Sequence, residues 1–315
     1  MLRSHFSLFF ATDLHGSERC FRKFVNSARF YGADALFLGG DLAGKSVIPV
    51  WRDKEGNWVA QQDGGERKMS HTEIVEFENA AKDSGQYLVR ESPRELAELN
   101  CVQKDKLFRQ VATQRLREWL DYAASKLTTG TLVYAIPGND DPFDFNSIFS
   151  EYSFIRFLDA TATEIAPELW VVGLGGSNPT PWNTYREMSE EEIAGRLRST
   201  FAAVPSTATT ILHCHAPPLG SGLDNGPMLD KNLKVQVGVG GPRMVALGSI
   251  AVRRTVEQMK PCLGLFGHVH ESRAVTRLGN SLCVNPGSQF WTGNLFGFWA
   301  TIRDRQVINW RLTEG

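Results

Sequence analysis

Short apolar runs that end abruptly in polar residues recur along this chain of 315 residues. Each run is rich in Val, Ile, Leu or Phe and gives way at once to Asp, Asn or His. The runs are Phe6–Ala11, Ala35–Leu38, Leu132–Ile136, Thr210–Leu212 and Cys262–Phe266. Runs this short and apolar fit buried strands of an α/β sheet. We therefore predict core strands with polar side chains just past their carboxyl ends, where open α/β sheets place their sites.

Segments with helical spacing of apolar residues separate these strands. One helix is predicted within 17–31, and capping signals at Ser189 and Ser249 begin two more. Gly175–Thr184, which follows the apolar run Leu169–Leu174, is either a pocket wall or a plain turn. The carboxyl-terminal part differs, because it has apolar runs in close succession: Ser281–Val284, Gly297–Ile302 and Gln306–Arg311. We interpret these runs as consecutive antiparallel strands, so the whole pattern predicts a mixed α/β fold with two sheets.

The stretch 45–114 is polar and charged and interrupts the alternation of strands and helices. Within it, Val47–Gln61 resembles a hairpin, and capping signals at Ser70 and Ser92 predict two helices. The second helix is expected to run unbroken to about Leu127. We interpret this stretch as an insertion within one domain that covers the whole chain, and we expect it to serve as a lid or an oligomerisation arm.

Composition narrows the class of protein. The chain is 42% hydrophobic and 22% charged, as globular proteins are. Its formal net charge of −1 gives no overall field toward nucleic acid or an anionic membrane. No run of about 18 apolar residues is present, so we expect no membrane-spanning helix. The cysteines are Cys20, Cys101, Cys214, Cys262 and Cys283. They form no C-x-x-C pair, which predicts reduced thiols and a cytoplasmic protein.

The polar residues that follow the strands are of the types that bind metals. Asp13 and His15 lie two apart on an extended segment, and so do His268 and His270, so each pair can point to one side. The histidines just past strand ends are His15, His213, His215, His268 and His270. One such histidine alone is usually structural, but burying the whole set without partners or metal is costly. Carboxylate and imidazole ligands suit Zn, Fe or Mn, and the absence of nearby thiolates argues against a structural Zn site.

These residues occur in motifs whose order resembles the calcineurin-like metallophosphoesterase superfamily. The motifs are Asp13-x-His15, Gly40-Asp41, Gly138-Asn139-Asp140, His215-x-Pro217-Pro218 and Gly267-His268-x-His270. Each motif alone is weak, but all of them in this order, each after a predicted strand, make a specific pattern. It extends from about Phe6 to Gly287 without the insertion, and it most resembles the predicted phosphoesterases of bacteria and archaea. The resemblance implies a four-layer αββα sandwich of two mixed sheets.

The resemblance also implies a role for each matching residue. The implied metal ligands are Asp13, His15 and His270 for one ion, Asn139, His215 and His268 for a second, and Asp41 between the two. Two such ions, Mn, Fe or Zn, would activate a bridging hydroxide that hydrolyses phosphate esters. The implied partner is a small phosphate ester; nucleic acid is not favoured, a membrane is not expected, and a homo-oligomer is left open.

Two positions depart from the family pattern. Gly44 stands where many members have a further Asp, and Asp140 stands where many have a His that acts on the leaving group. An ionised carboxylate there is a poor general acid and repels a phosphate dianion, so we expect phosphodiesters to be preferred over monoesters. The alternative for Asp140 is a loop cap or a partner of a metal ligand. His213 is either a substitute proton donor or a packing residue. The candidate catalytic residues are thus Asp41, Asn139, Asp140 and His213.

Two other functions stay open at this stage. A nuclease of the same superfamily would need a basic or aromatic groove beside the metals, which the neutral net charge disfavours. A non-catalytic scaffold would use the insertion to bind protein, but degenerate relatives usually lose metal ligands, and none is missing here. An NTPase and a serine hydrolase are disfavoured, because neither G-x-x-x-x-G-K-[ST] nor G-x-S-x-G follows a predicted strand.

Overall fold

The computed structural model describes residues 5–62, 65–142 and 145–315. The strands are β1 (Phe6–Ala11), β2 (Ala35–Leu38), β3 (Ser46–Arg52), β4 (Trp58–Gln62), β5 (Gly65–Met69), β6 (Gln86–Val89), β7 (Leu132–Ala135), β8 (Ile155–Phe157), β9 (Thr161–Ala166), β10 (Leu169–Leu174), β11 (Thr209–Cys214), β12 (Asn225–Pro227), β13 (Val237–Gly238), β14 (Gly241–Pro242), β15 (Met244–Ala246), β16 (Leu263–Leu265), β17 (Ala274–Leu278), β18 (Ser281–Asn285), β19 (Phe296–Arg303) and β20 (Gln306–Glu314). The helices are α1 (Glu18–Tyr31), α2 (His71–Asp83), α3 (Pro93–Glu98), α4 (Cys101–Lys126), α5 (Asn146–Phe149), α6 (Glu190–Phe201) and α7 (Ile250–Met259).

Two six-stranded mixed sheets form the body of the molecule. The first has the order β20-β19-β1-β2-β7-β8, and the second has the order β17-β18-β16-β11-β10-β9. The central strands of each sheet run parallel. The antiparallel pairs lie toward the edges, with β19 and β20 in one sheet and β9 and β17 in the other. The predicted mixed fold of two sheets is confirmed.

The sheets pack face to face, and helices cover both outer faces. Phe10 and Phe37 of the first sheet and Leu265 of the second belong to one buried cluster between the sheets. A second cluster packs α1 and α4 on the first sheet, with Trp119 of α4 at its centre. A third packs α6 and α7 on the second sheet, with Leu197 fully buried. This arrangement is the four-layer αββα sandwich, because an apolar face of each sheet and each helix must be covered.

The predicted strand order at the carboxyl terminus is partly wrong. β19 and β20 form the expected antiparallel hairpin. However, β18 belongs to the second sheet, where it pairs with β16 and β17. The chain then crosses to the first sheet through 286–295, which contains a 3-10 turn at Phe290–Thr292. Apolar alternation identifies a strand without identifying its neighbour, so the crossing was not visible in the sequence.

The insertion has a small sheet and a buried cluster of its own. Its sheet has the order β5-β4-β3-β6, and the predicted hairpin is its β3–β4 pair. Val50 and Ala60 of the sheet pack against Ile74 and Phe77 of α2. The helix predicted from Ser70 is confirmed, and its capping box is present. The stretch is therefore a mixed α/β subregion, with more strands than the predicted hairpin.

The prediction of one unbroken helix from Ser92 to Leu127 is wrong. α3 ends at Glu98, and Leu99 is extended with ψ of 133°. A new capping box, formed by Asn100 and Gln103, then begins α4. Asn is a strong amino-terminal cap, so the sequence itself contains a signal for a new helix at this point.

In the part of the chain that the structure describes, no helix is long and apolar enough to cross a membrane.

Candidate metal centre

Five loops, each at the carboxyl end of a core strand, meet at one edge of the two sheets. They follow β1, β2 and β7 of the first sheet and β11 and β16 of the second. Backbone hydrogen bonds join them: Asp13 N donates to Gly40 O at 3.0 Å, and Gly267 N donates to His215 O at 3.0 Å. The imidazole of His215 joins the two sheets, because its Nδ1 lies 2.7 Å from Gly39 O. The predicted side chains are therefore brought to a single site.

A first group of ligand types consists of Asp13, His15, Asp41 and His270, whose candidate ligand atoms lie within 4.8 Å of one another. His15 Nε2 lies 3.1 Å from His270 Nε2 and 3.6 Å from Asp41 Oδ2. Asp13 Oδ1 lies 3.3 Å from His270 Nε2, is buried, and accepts no hydrogen bond from the described residues. Two imidazole nitrogens that face each other and a carboxylate oxygen left without a donor fit a shared cation.

A second group lies on the other side of Asp41. The amide oxygen of Asn139 is 2.7 Å from His268 Nδ1 and 3.1 Å from His215 Nε2. Asp41 Oδ2 is 3.6 Å from His215 Nε2, the same distance as from His15 Nε2 in the first group. One carboxylate oxygen thus lies between the two groups. The structure brings together all seven side chains that the resemblance implies as ligands.

The carboxylates of this centre are held in the ionised form. Burial raises the pKa of Asp41, but the charge and hydrogen bond of His215 and the charge of Lys45 outweigh it, so this pKa lies well below its usual value. Burial also raises the pKa of Asp13, but the nearby imidazole of His270 lowers it by more, so this pKa lies below its usual value. Both side chains are therefore anionic at neutral pH, as metal ligands must be.

The histidines differ in charge because their surroundings differ. Burial lowers the pKa of His215, but the Asp41 carboxylate reverses this and raises it to about 10. Burial and the charge of His215 lower the pKa of His268 to about 4. Burial, with Lys45 next, holds the pKa of His15 well below its usual value. Without metal, a proton is therefore held on His215, whereas His15 and His268 are neutral.

The loops that present these side chains are strained. Asp13, His15, Asp41 and His268 have φ values of 55°, 41°, 51° and 68°. Such left-handed conformations cost roughly 1–3 kcal/mol each in residues other than glycine and persist only where the surroundings enforce them. Gly138 allows the β7 loop to approach closely, since a Cβ there would lie 1.9 Å from Asp41 Oδ1.

Asp141, which the sequence did not single out, holds two of the loops together. Its Oδ1 accepts hydrogen bonds from the backbone nitrogens of Leu42 and Ala43 at 2.9 Å each. Its Oδ2 accepts from Gly138 N at 2.7 Å. Burial raises the pKa of Asp141 to about 7, although these backbone hydrogen bonds oppose the increase. The side chain fixes the β2 loop against the β7 loop and so positions Asp41 beside Asn139.

Asp140 lies at the mouth of the centre. Its backbone N donates to Asp41 Oδ1 at 2.9 Å, and its Oδ1 accepts from Asn139 Nδ2 at 3.3 Å. Its Oδ2 lies 2.8 Å from Lys45 Nζ, a contact that the sequence did not predict. Burial and the charge of Asp41 raise the pKa of Asp140, and Lys45 partly offsets them. These contacts favour the alternative in which Asp140 is a partner of metal ligands.

His213 lies between the sheets rather than in the centre. It is fully buried, and its ring meets those of Phe10 and Phe37 edge-on at centroid distances of 5.7 and 5.4 Å. Neither ring nitrogen has a hydrogen-bond partner among the described residues. Burial lowers the pKa of His213 to about 3. A neutral ring enclosed by aromatic side chains favours the packing role over proton donation.

The insertion packs directly on the loop that carries His15. Ser17 Oγ donates to Asp83 O of the insertion at 2.6 Å, and Arg115, which directly follows the insertion, donates from Nη1 to Gly16 O at 2.9 Å. A Cβ at Gly44 would lie 2.2 Å from the carbonyl oxygen of Gly85. Gly44 is thus a residue on which the insertion packs.

A cleft of about 740 Å³ opens over the two groups of ligand types. Asp41, Asn139, His268 and His270 form part of its lining. The rest includes Phe108 of α4, Trp182 and Tyr185 from the loop after β10, and Leu229, Leu233, Val235 and Leu247 from the segment 225–247. Thr184 also lines it and accepts a hydrogen bond from Asn139 Nδ2 at 2.9 Å. The loop 175–184 is therefore a pocket wall, not a plain turn.

Comparison with known proteins shows the fold but not the family. No protein-family model matches the chain. The uncharacterized protein MJ1162 of Methanocaldococcus jannaschii is 33% identical over 157 residues, which are 49% of this chain and 63% of that protein. Less than two thirds of that relative is therefore matched.

Solved structures with the same fold share little sequence with the chain. TT1561 of Thermus thermophilus has a TM-score of 0.51 at 16% identity and covers 99% of this chain and 98% of its own. A dimetal phosphatase from Danio rerio has a TM-score of 0.47 at 10% identity, with 98% of each chain covered. A further crystal structure reaches a TM-score of 0.59 at 16% identity. For the two structures with TM-scores above 0.5, the likeness is one of fold alone.

Proposed function

We propose that this chain hydrolyses phosphate esters with the help of two divalent metal ions. One observation carries the proposal: Asp41 Oδ2 lies 3.6 Å from both His15 Nε2 and His215 Nε2, between two groups of buried metal-ligand side chains. A single carboxylate oxygen in that position suits a bridge between two cations. A buried set of this kind is costly unless cations compensate it.

The donor atoms fit such ions. Asp13 Oδ1 is buried without a hydrogen-bond donor, and facing imidazole nitrogens 3.1 Å apart leave at least one lone pair without a proton. Asp13, His15 and His270 would hold one ion, Asn139, His215 and His268 the other, and Asp41 both. Mixed carboxylate, imidazole and amide ligands suit Mn, Fe or Zn. When bound, two such ions neutralise phosphate charge and acidify the attacking water.

The remaining residues would set the choice of substrate. Asn139 Nδ2 donates to Thr184 Oγ1 at 2.9 Å, which orients its amide oxygen toward His215 and His268. No imidazole occupies the position of Asp140, so help for a departing alkoxide is lacking there. We therefore favour phosphodiesters with good leaving groups over monoesters. Lys45 offsets part of the Asp140 charge, so this preference depends more on the missing proton donor than on repulsion of the phosphate.

The test uses purified full-length protein reconstituted with Mn, Fe, Zn or Mg. Elemental analysis should find up to two ions per chain, and an aryl phosphodiester and the matching monoester should be turned over, the diester faster. A chelator should abolish both activities, and metal should restore them. Full diester turnover by metal-free protein, or none by protein with two bound ions, would contradict the proposal, and the latter result would support the scaffold alternative.

We also propose that the insertion 45–114 shapes the substrate cleft. It contributes Lys45 and Phe108 to the lining and packs on the His15 loop. The same segment could instead support assembly of copies of the chain, and the deletion described in the Discussion separates the two roles.

The five cysteines are free thiols, which supports a cytoplasmic location.

A further inference from the structure

The cleft above the candidate metal centre has a wall that is mostly apolar. We call the set Phe108, Trp182, Tyr185, Leu229, Leu233, Val235 and Leu247 the apolar wall. Several of its members are open to solvent: Trp182 is 57% exposed, Leu233 47% and Val235 44%. Large apolar side chains grouped at the mouth of a cleft, instead of scattered, mark a binding surface.

The backbone fixes this wall in place even though its side chains are exposed. Asp230 Oδ1 accepts from Asn232 N at 2.8 Å and from Lys234 N at 2.9 Å, which orders the turn that carries Leu233. Asn178 Nδ2 donates to Leu247 O at 3.1 Å and so ties the loop after β10 to the segment 225–247. β12 and β15 pair at the base of that segment. The apolar side chains are thus held over the cleft by polar contacts beneath them.

The charge of the same segment suits an anionic ligand. Residues 225–247 include three cations, Lys231, Lys234 and Arg243, and one carboxylate, Asp230, while Glu271 lies in the cleft lining. All three cations are exposed. A ligand that combines a phosphate with an apolar group would therefore meet metal ligands on the cleft floor, aliphatic and aromatic side chains on its wall, and cations outside it.

We propose that the substrate is a phosphate ester with a sizeable apolar group, alkyl or aryl, which packs on the apolar wall while the phosphate lies over the two groups of ligand types. This inference rests on the proposed function for the identity of the reacting group. Four of the wall residues are aliphatic and offer no hydrogen bond. A wall of that kind favours an alkyl or aryl group over a nucleobase, whose polar edges would be left unpaired.

Two series of compounds test the proposal on the metal-loaded protein. In the first, p-nitrophenyl alkyl phosphates with methyl, butyl and octyl groups keep the leaving group constant while the apolar group grows. In the second, alkylphosphonic acids with the same alkyl groups, which have a P–C bond and no ester bond, are bound without being hydrolysed. Partial burial of each added methylene should raise kcat/KM and phosphonate affinity about tenfold from methyl to butyl.

A pair of variants locates the effect. The double variant Leu233→Ser, Val235→Ser should reduce the butyl-to-methyl ratio to near one in both series. Ile308→Ser removes an apolar side chain of similar exposure, 39%, on β20 and should leave the ratio unchanged. Metal content and melting temperature of each variant confirm that the fold and the centre are retained.

The two series separate failure of this inference from failure of the proposed function. Chain-length dependence of phosphonate affinity without any hydrolysis would support the apolar ligand and contradict the phosphoesterase. Hydrolysis and affinity that are independent of chain length would support the phosphoesterase and overturn the apolar ligand. Binding of a nucleoside 5′-phosphonate more tightly than the butyl compound would also overturn it.

Discussion

The ammonium group of Lys45 lies 2.8 Å from Asp140 Oδ2, at the mouth of the candidate metal centre. Lys45 is the first residue of the insertion, whereas Asp140 follows the core strand β7. The contact therefore places a cation from the insertion on the carboxylate of Asp140, the position at which the sequence resemblance implies a histidine. The net charge that an incoming phosphate would meet at this position is close to zero rather than −1.

Removal of the Lys45 charge should leave the negative charge of Asp140 unpaired, so that it repels an anionic substrate. In Lys45→Gln we expect kcat/KM for a dianionic aryl monoester to fall about fivefold more than kcat/KM for the matching diester, as fits a partly exposed charge. Lys68→Gln, which breaks the pair with Asp53 in the insertion, is the matched control and should change neither value. An equal loss for both esters in Lys45→Gln would show that Lys45 does not act through the charge of the substrate.

Asp140→His should supply the missing proton donor. A protonated imidazole can donate to a departing alkoxide, which is typically worth about 10²–10⁴-fold. We expect the variant to raise monoester turnover relative to diester turnover, most for alkyl leaving groups. Asp140→Asn removes the charge without adding a donor, so it should not reproduce the gain for alkyl esters. If wild-type protein already prefers alkyl monoesters, Asp140 does not determine leaving-group chemistry.

Asp41→Asn should weaken both metal sites together. Its Oδ2 is the atom that lies 3.6 Å from a histidine nitrogen of each group. Asp13→Asn changes a ligand of one group only and should weaken one site. Calorimetric titration with Mn, together with elemental analysis of the washed protein, distinguishes the two patterns. Loss of a single ion in Asp41→Asn would assign the bridge to another residue.

Metal affinity should rise with pH because of His215. Asp41 raises the pKa of His215 to about 10, so the metal-free protein carries a proton there at neutral pH, whereas the pKa of His268, about 4, leaves that ring neutral. A metal ion at His215 Nε2 must displace this proton. Below pH 10 the affinity of that site should therefore increase about tenfold per pH unit. Calorimetry in buffers of different ionisation enthalpy should detect about one proton released, and zero release would contradict this assignment.

Replacement of 45–114 by a short linker should leave two ions bound but change the choice of substrate. All seven candidate ligands lie outside the deleted stretch, whereas Lys45 and Phe108 of the cleft are lost with it. Metal content, the ratio of diester to monoester turnover and the number of chains per particle in solution should be measured on the same sample. A change in the number of chains per particle with an unchanged turnover ratio would favour the assembly role. A folded deletion without metal would show that contacts such as Ser17 to Asp83 are needed to hold the His15 loop.

Much of the centre could be predicted because its ligands are local signals. Asp13, Asp41 and Asn139 each follow a short apolar run, and the carboxyl ends of such runs meet when strands lie parallel in one sheet. The layered fold follows from the same runs and the amphipathic segments between them. None of these inferences needs a contact between distant residues other than the pairing of strands.

The features that were missed depend on tertiary contacts. Lys45 is unremarkable in the sequence and gains its importance only from its distance to Asp140. Asp141 looks like a loop residue, and three backbone nitrogens converge on it only after β2 and β7 pair. His213 has the spacing of a site residue, but its side chain points between the sheets toward Phe10 and Phe37. The break at Asn100 is different, since the signal for it, the capping box of Asn100 and Gln103, is local and could have been read from the sequence.

The left-handed backbone at four of the candidate metal-ligand positions costs free energy of folding that glycine would not cost. Asp13, His15, Asp41 and His268 hold conformations that glycine adopts without penalty. In metal-free protein, a glycine at His15 or His268 would relieve strain and remove a neutral ring. A glycine at Asp13 or Asp41 would relieve strain but would also remove a carboxylate whose lowered pKa means that the fold stabilises its charge. The strained backbone at all four positions is therefore the cost of keeping Asp and His where glycine would be unstrained.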